Sequence, residues 1–100
     1  MTANRVIFWN DLSTTDFDDL DPGKTVALIP LGAIEQHGPH LPVSTDATIA
    51  EEMCRRAAEK TPSELKLIVM PTQYVGKSTE HLQFKGTLTL KVEHFWLRNC

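Results

Sequence analysis

Two apolar runs with a helical pattern between them dominate the sequence. Residues 25–30 form a near-continuous apolar run without alternation, which is typical of a strand buried on both faces of a parallel sheet, and residues 65–70 form a second apolar run. Over residues 46–60 the period changes to that of a helix, with charged residues on one side and an apolar side formed by Ile49, Met53 and Ala57. Strand, helix and strand in this order predict a right-handed βαβ unit.

The segments around this unit predict smaller elements. We expect residues 5–9 to form an edge strand or a packed arm. Residues 10–21, which include five aspartates, should form a turn or short helix facing solvent, and residues 86–90 should form a short strand. A parallel sheet needs helices on both of its faces, and this chain offers few. The pattern therefore predicts part of a larger α/β domain.

Composition narrows the class of protein. The chain has 100 residues, of which 41% are hydrophobic and 23% charged, as in one small globular domain. Its net charge of −3 excludes the basic surface that binds nucleic acid or anionic membranes, and no apolar run reaches the length of a membrane span. Because there is no signal-peptide pattern and only two cysteines are present, we expect a cytoplasmic protein.

The loop after the first predicted strand, residues 31–46, concentrates ionisable side chains. Two prolines and glycines prevent it from forming a helix, and on extended backbone Glu35 and His37 point to the same side. A carboxylate and an imidazole there suit Zn²⁺, Mn²⁺ or a similar divalent ion, and Asp46 at the helix start can return a second carboxylate. Spacing alone leaves a second interpretation open, in which these are solvated loop and cap residues and His37 and His40 are surface histidines.

The segment after the second predicted strand, residues 71–86, is polar. Tyr74 and Ser78 can hydrogen-bond a substrate, and Glu80 and His81 can support a metal site from outside its ligand shell. For Tyr74 the alternative is packing at a strand end. A serine-hydrolase site is disfavoured because the Gly-x-Ser-x-Gly turn is missing.

The motif GAIEQHGPHLP at residues 32–42, followed by Thr45-Asp46, resembles the signature of the creatininase (creatinine amidohydrolase) family. The resemblance continues in STEHL at 78–82 and Gly86-Thr87, and covers roughly residues 20–90. It implies a three-layer αβα sandwich with a mainly parallel sheet, of which residues 1–100 are the amino-terminal portion.

The resemblance also implies chemistry. It predicts a site for two divalent ions, zinc or manganese with iron also suited, in which Glu35 and His37 each hold one ion and Asp46 bridges both. His40 lies in the motif but not among the ligands, so we expect it to support the site or to stabilise the loop. The implied reaction is hydrolysis of a cyclic or linear amide C–N bond of a small molecule by metal-activated water, commonly in a homo-oligomer that is a hexamer in this family.

The sequence departs from the family in one respect. Family members are well over twice as long, and their remaining ligands, a histidine and a glutamate, lie in later segments with no match here; Glu93-His94 lacks the glycines of those segments. We therefore predict an amidohydrolase chain that is catalytically incomplete by itself. The alternatives are a truncated, non-catalytic domain that binds a metal or a partner, and a site completed across an interface.

Overall fold

The computed structural model describes residues 6–91, so Glu93, His94 and Cys100 lie outside the described residues. The chain forms two compact units. The first contains Glu52–Pro71 and the described residues up to Pro30, and the second contains Leu31–Glu51 and the described residues from Thr72 onward. The predicted α/β class is confirmed, since a parallel sheet and an α-helix are both present.

The first unit is built on a parallel sheet of three strands. These are β1 (Ile7–Phe8), β2 (Thr25–Leu28) and β3 (Lys66–Val69), in the spatial order β1-β3-β2. The central strand β3 carries the buried core of the sheet, with Ile68 and Val69 each 1% exposed. Because β2 and β3 are parallel and the helix α1 (Thr45–Glu59) lies between them in the chain, the predicted βαβ order is confirmed.

Strand β2 is less buried than its apolar sequence predicts. Val26 is 50% exposed, and Ala27 is also exposed. Among the described strands β2 lies at an edge and pairs only with β3, so its backbone and side chains have a neighbouring strand on one side alone. The prediction of burial on both faces is therefore wrong for β2, and it is the last two residues of β3 that are buried.

The aspartate-rich segment forms two 3₁₀ helices, Trp9–Asp11 and Thr14–Asp19, as predicted for a turn or short helix facing solvent. The backbone N–H of Ser13 donates to the Asp16 carboxylate over 2.8 Å, and this bond lowers the pKa of Asp16. The rings of Trp9 and Phe17 stack at a tilt with centroids 4.6 Å apart, which joins the two short helices.

Helix α1 buries small side chains, contrary to the pattern in the sequence. Ile49 is 57% and Met53 61% exposed, whereas Ala47 is fully buried and Ala58 is 3% exposed. At Ala47 the backbone of Gly32 lies so close that a Cβ on Gly32 would be 2.7 Å from the Cβ of Ala47. The large apolar side chains consequently occupy the exposed side of the helix.

The predicted strand at 86–90 is reduced to one antiparallel bridge between Ile34 and Leu88 in the second unit. Within residues 6–91, no helix combines the length and apolar character needed to cross a bilayer.

The central position of β3 leads to a stability prediction. We expect Ile68→Val to lower the free energy of unfolding by about 1 kcal/mol, because it removes a buried methylene. The same change at Ile29, which is 39% exposed, serves as the control and should cost no more than a few tenths of a kcal/mol. Urea unfolding followed by circular dichroism measures both, and equal losses would contradict the assignment of β3 as the core strand.

Candidate metal centre

The candidate site lies entirely in the second unit and starts from a close backbone contact. The N–H of Gly32 donates to the carbonyl of Gln73 over 2.9 Å, next to a parallel bridge between Leu31 and Gln73. A Cβ at Gly32 would lie 2.5 Å from the Cα of Ala47, a distance that no side chain can occupy. This contact holds the beginning of the loop against the first turn of α1, where Asp46 lies.

His37 joins the loop to the helix start through both of its ring nitrogens. Its Nδ1 is 3.0 Å from the backbone carbonyl oxygen of Glu35, and its Nε2 is 3.1 Å from Oδ1 of Asp46. A carbonyl oxygen can only accept, so the Nδ1 must carry a proton. In neutral His37 the Nε2 lone pair would then face a carboxylate oxygen, and this arrangement requires a proton or a cation at Nε2.

The pKa of His37 is raised above its ordinary value. The largest cause is the hydrogen bond to the Glu35 carbonyl, and the negative charge of Asp46 adds to it against the opposing effect of desolvation. The His37 side chain is 23% exposed and that of Asp46 42%. The pair is therefore accessible from solvent while its geometry is set by the loop.

Glu35 belongs to a second group of potential ligands. Its carboxylate, in a side chain that is 15% exposed, has Oε1 3.8 Å from Nε2 of His81. One ligand atom each from Glu35, Glu80 and His81 lies within 4.8 Å of the others. Lys77 Nζ is 3.6 Å from Glu80, and the pKa of Glu80 is lowered chiefly by its own backbone N–H, with Lys77 contributing.

The other predicted residues occupy different surroundings. His40 is exposed and is not a member of the Glu35 group. Tyr74 is 46% exposed, and its hydroxyl donates to Oε2 of Glu51 over 3.4 Å, next to a 2.7 Å bond from Thr72. Ser78 is fully buried, and within the described part of the chain its Oγ and the Nδ1 of His81 are buried polar atoms without a hydrogen-bond partner.

The sequence predicted a short strand at 86–90 but not that residues there join the loop to the turn carrying Glu80 and His81. Residues 87–90, which we call the connecting segment, hydrogen-bond to both. Leu88 N–H donates to the Ile34 carbonyl and Leu90 N–H to the Gly76 carbonyl, each over 2.9 Å. The alternation of threonine and leucine in this segment was the available signal, since it places both hydroxyls on one side.

Known proteins resemble this chain over nearly its whole length. The model of the family "Creatininase: Creatinine amidohydrolase" matches residues 10–97. The mycofactocin precursor peptide peptidase of Mycobacterium ulcerans is 38% identical over 95 residues, which cover 89% of this chain and 38% of that protein. The creatinine amidohydrolase of Pseudomonas putida is 30% identical over 93 residues, which cover 87% of this chain and 34% of that protein.

Solved structures show the same relationship. A creatininase described as the Mn form matches with a TM-score of 0.73 and 29% identity, covering 87% of this chain and 35% of its own. A creatininase variant of Zn-Zn type matches with a TM-score of 0.72 and 28% identity, covering 88% of this chain and 35% of its own. A creatininase variant complexed with creatine matches with a TM-score of 0.74 and 29% identity, covering 87% of this chain and 34% of its own. The chain thus spans little more than a third of the length of these relatives.

The hydrogen bonds of His37 predict a pH-dependent contribution to stability in the metal-free chain. Because the pKa of His37 is higher in the folded chain than in the unfolded one, protonation of His37 stabilises the folded chain. This stabilisation is complete below the unfolded pKa of about 6.5 and is lost as the pH rises through the folded pKa. We therefore expect Asp46→Asn to lower the pKa of His37 and to destabilise the chain more at about pH 5.5 than at about pH 8.5. NMR titration and urea unfolding in chelator measure this, with Asp18→Asn as control. A loss independent of pH would contradict it.

The contact at Gly32 predicts a steric effect on the same pair. Gly32→Ala should destabilise the chain by about 1–3 kcal/mol, because the added Cβ overlaps the backbone of Ala47 and forces the helix start away from the loop. Gly23→Ala is the matched control, since its Cβ would meet nothing closer than Asp21 Oδ1 at 3.4 Å. Thermal unfolding compares the two variants, and equal stability would show that the contact can relax.

Proposed function

The chain belongs to the creatininase family, and on that premise we propose that it contributes to metal-dependent hydrolysis of an amide C–N bond. Two relatives, a creatinine amidohydrolase and a mycofactocin precursor peptide peptidase, are by name enzymes that break such bonds. The ligands proposed for the metal are Glu35 and His37, one for each of two ions, and Asp46 between them.

One observation carries this proposal, namely the 3.1 Å separation of His37 Nε2 and Asp46 Oδ1 while Nδ1 is occupied by the Glu35 carbonyl. Two ligands at bonds of about 2.0–2.1 Å from a tetrahedral ion lie about 3.3 Å apart, so the spacing of these atoms fits a shared cation. A backbone carbonyl on the other ring nitrogen is also the usual way in which proteins orient a histidine ligand. The residues present therefore fit a divalent ion.

The Glu35 group supports the same proposal from a second direction. Two carboxylates and an imidazole whose ligand atoms lie within 4.8 Å of one another are stabilised by a cation nearby. We propose that Glu80 and His81 hold the Glu35 carboxylate in place from outside the ligand shell, and that His40 supports the loop. Manganese and zinc, the metals of two similar creatininases described as the Mn form and the Zn-Zn type, suit these donors, as does iron.

A bound divalent cation would polarise the amide carbonyl and make water a stronger nucleophile near neutral pH. The chain's own residues orient the groups around it. The Glu35 carbonyl fixes the tautomer of His37, and the Tyr74 hydroxyl, whose proton is donated to Glu51, retains lone pairs that can accept an N–H of the amide substrate. Ser78 is fully buried, so its unpartnered Oγ would contact a substrate only after the residues around it move, and its role as a substrate contact stays a proposal.

The coverage of the relatives limits what these residues can do unaided. The chain spans 34% to 38% of the relatives, and Glu35, His37 and Asp46 are too few ligands to complete two metal sites. We propose that the 100-residue chain binds metal but hydrolyses little substrate by itself. The same coverage favours a second candidate function, a non-catalytic domain that binds a metal or a partner. We also propose that the protein is cytoplasmic and forms a homo-oligomer.

Metal titration of the chain tests this function. After removal of metal with a chelator, Mn²⁺ and Zn²⁺ are titrated by calorimetry into the wild type and into His37→Ala, Asp46→Ala and Asp18→Ala. We expect Asp46→Ala and His37→Ala to weaken binding by more than the roughly 10- to 100-fold that loss of a supporting residue typically costs. Asp18→Ala, an exposed aspartate in the other unit, should bind as the wild type.

The result that would contradict the proposal is unchanged binding in both ligand variants. An assay with creatinine and with a peptide amide then measures whether the chain is active by itself. Hydrolysis that disappears in Asp46→Ala excludes the non-catalytic domain, whereas metal binding without hydrolysis is expected of the incomplete enzyme and of the binding domain alike.

A further inference from the structure

The connecting segment binds the metal-site loop and the Glu80-His81 turn at the same time. The hydroxyl of Thr87 accepts the backbone N–H of Gln36 over 3.2 Å, and that of Thr89 accepts the backbone N–H of Ser78 over 2.7 Å. Gln36 stands between Glu35 and His37 in the chain, and Ser78 begins the 3₁₀ turn Thr79–His81. Two hydroxyls two residues apart therefore hold the two pieces of backbone from which the candidate ligands project.

The directions of these bonds favour a role for threonine in particular. Thr89 donates its own proton to the Leu90 carbonyl over 3.1 Å, which leaves an oxygen lone pair for the Ser78 N–H. Thr87 and Thr89 are partly buried on one side of the segment, whereas Leu88 between them is 54% exposed. A partly buried N–H that loses its acceptor is poorly solvated, so the hydroxyls are not equivalent to methyl groups of the same shape.

The backbone conformation at Gly86, just before the connecting segment, is also restricted. Gly86 has φ +89°, in the left-handed region that side chains rarely adopt, and a Cβ there would lie 3.1 Å from Cγ1 of Val43. The carbonyl of Val43 in turn accepts the N–H of Glu35 over 3.1 Å. Glu35 is thus held through its own N–H, and its neighbour Gln36 through Thr87.

From these contacts we infer that Thr87 and Thr89 are positioning residues of the metal centre, which set the separation between the Glu35 carboxylate and the Glu80-His81 turn. The inference rests on the proposed metal-binding function and extends it to two residues that touch no ligand atom. Removing either hydroxyl should let the loop and the turn move apart, because each loses the bond that holds it to the segment.

Metal affinity tests this inference in the full 100-residue chain. We expect Thr87→Val and Thr89→Val to weaken Mn²⁺ binding by about 10-fold or more, the range found when a supporting hydrogen bond of a metal ligand is removed. Thr87→Ser and Thr89→Ser keep the hydroxyl and should bind close to the wild type. Thr61→Val is the matched control, since Thr61 donates its hydroxyl to the Ala57 carbonyl in the other unit.

Amide hydrogen exchange in metal-free protein provides a readout that does not depend on binding. In the valine variants we expect faster exchange at Gln36 and Ser78, which lose their acceptors, and also at Glu35 and His81, which are displaced with them. Exchange confined to Gln36 and Ser78 would overturn the inference, as would equal weakening of Mn²⁺ binding by Thr61→Val. If His37→Ala and Asp46→Ala leave Mn²⁺ binding intact, the proposed ligands are wrong, and hydrogen exchange alone then decides whether Thr87 and Thr89 position the two segments.

Discussion

The close approach of Gly32 to Ala47 is the constraint on which the rest of the candidate site depends. It brings the backbone of the loop against the first turn of α1 at a distance that excludes a side chain at Gly32, and it covers the fully buried Ala47. Asp46 is the neighbour of Ala47, so its carboxylate is delivered to the loop by the same contact. The 3.1 Å pairing with His37 follows from packing in the second unit rather than from attraction alone.

Glu35 contributes to this arrangement through three separate groups. Its N–H donates to Val43, its carbonyl accepts the Nδ1–H of His37, and its carboxylate faces His81. Holding Glu35 in place therefore orients the imidazole of His37 and places a carboxylate beside His81. This is typical of sites whose geometry comes from backbone hydrogen bonds, because folding has already ordered the backbone, whereas a long side chain still loses conformational entropy when it binds.

Much of the fold could be predicted from the sequence, because strand and helix periods are local. The order of β2, α1 and β3 followed from those periods, and the motif at 32–42 indicated the family. The side of α1 that is buried could not be predicted, since it depends on Gly32, a residue distant in sequence. The hydrogen bonds from the backbone of Gln36 and Ser78 to Thr87 and Thr89 were equally hidden. A short alternation of threonine and leucine does not show which segments it will contact.

The small size of the buried core has a further consequence for how the chain unfolds. Among the described residues the buried hydrophobic side chains are two alanines, one isoleucine and one valine, while Leu31, Ile49, Met53 and Leu82 are each more than half exposed. Both the heat capacity change of unfolding and its dependence on denaturant scale with the apolar surface newly exposed. A chain that already shows so much apolar surface to water exposes less on unfolding than a fully packed domain of the same length. We therefore expect its free energy of unfolding to depend weakly on denaturant concentration, and more strongly when the exposed side chains are covered.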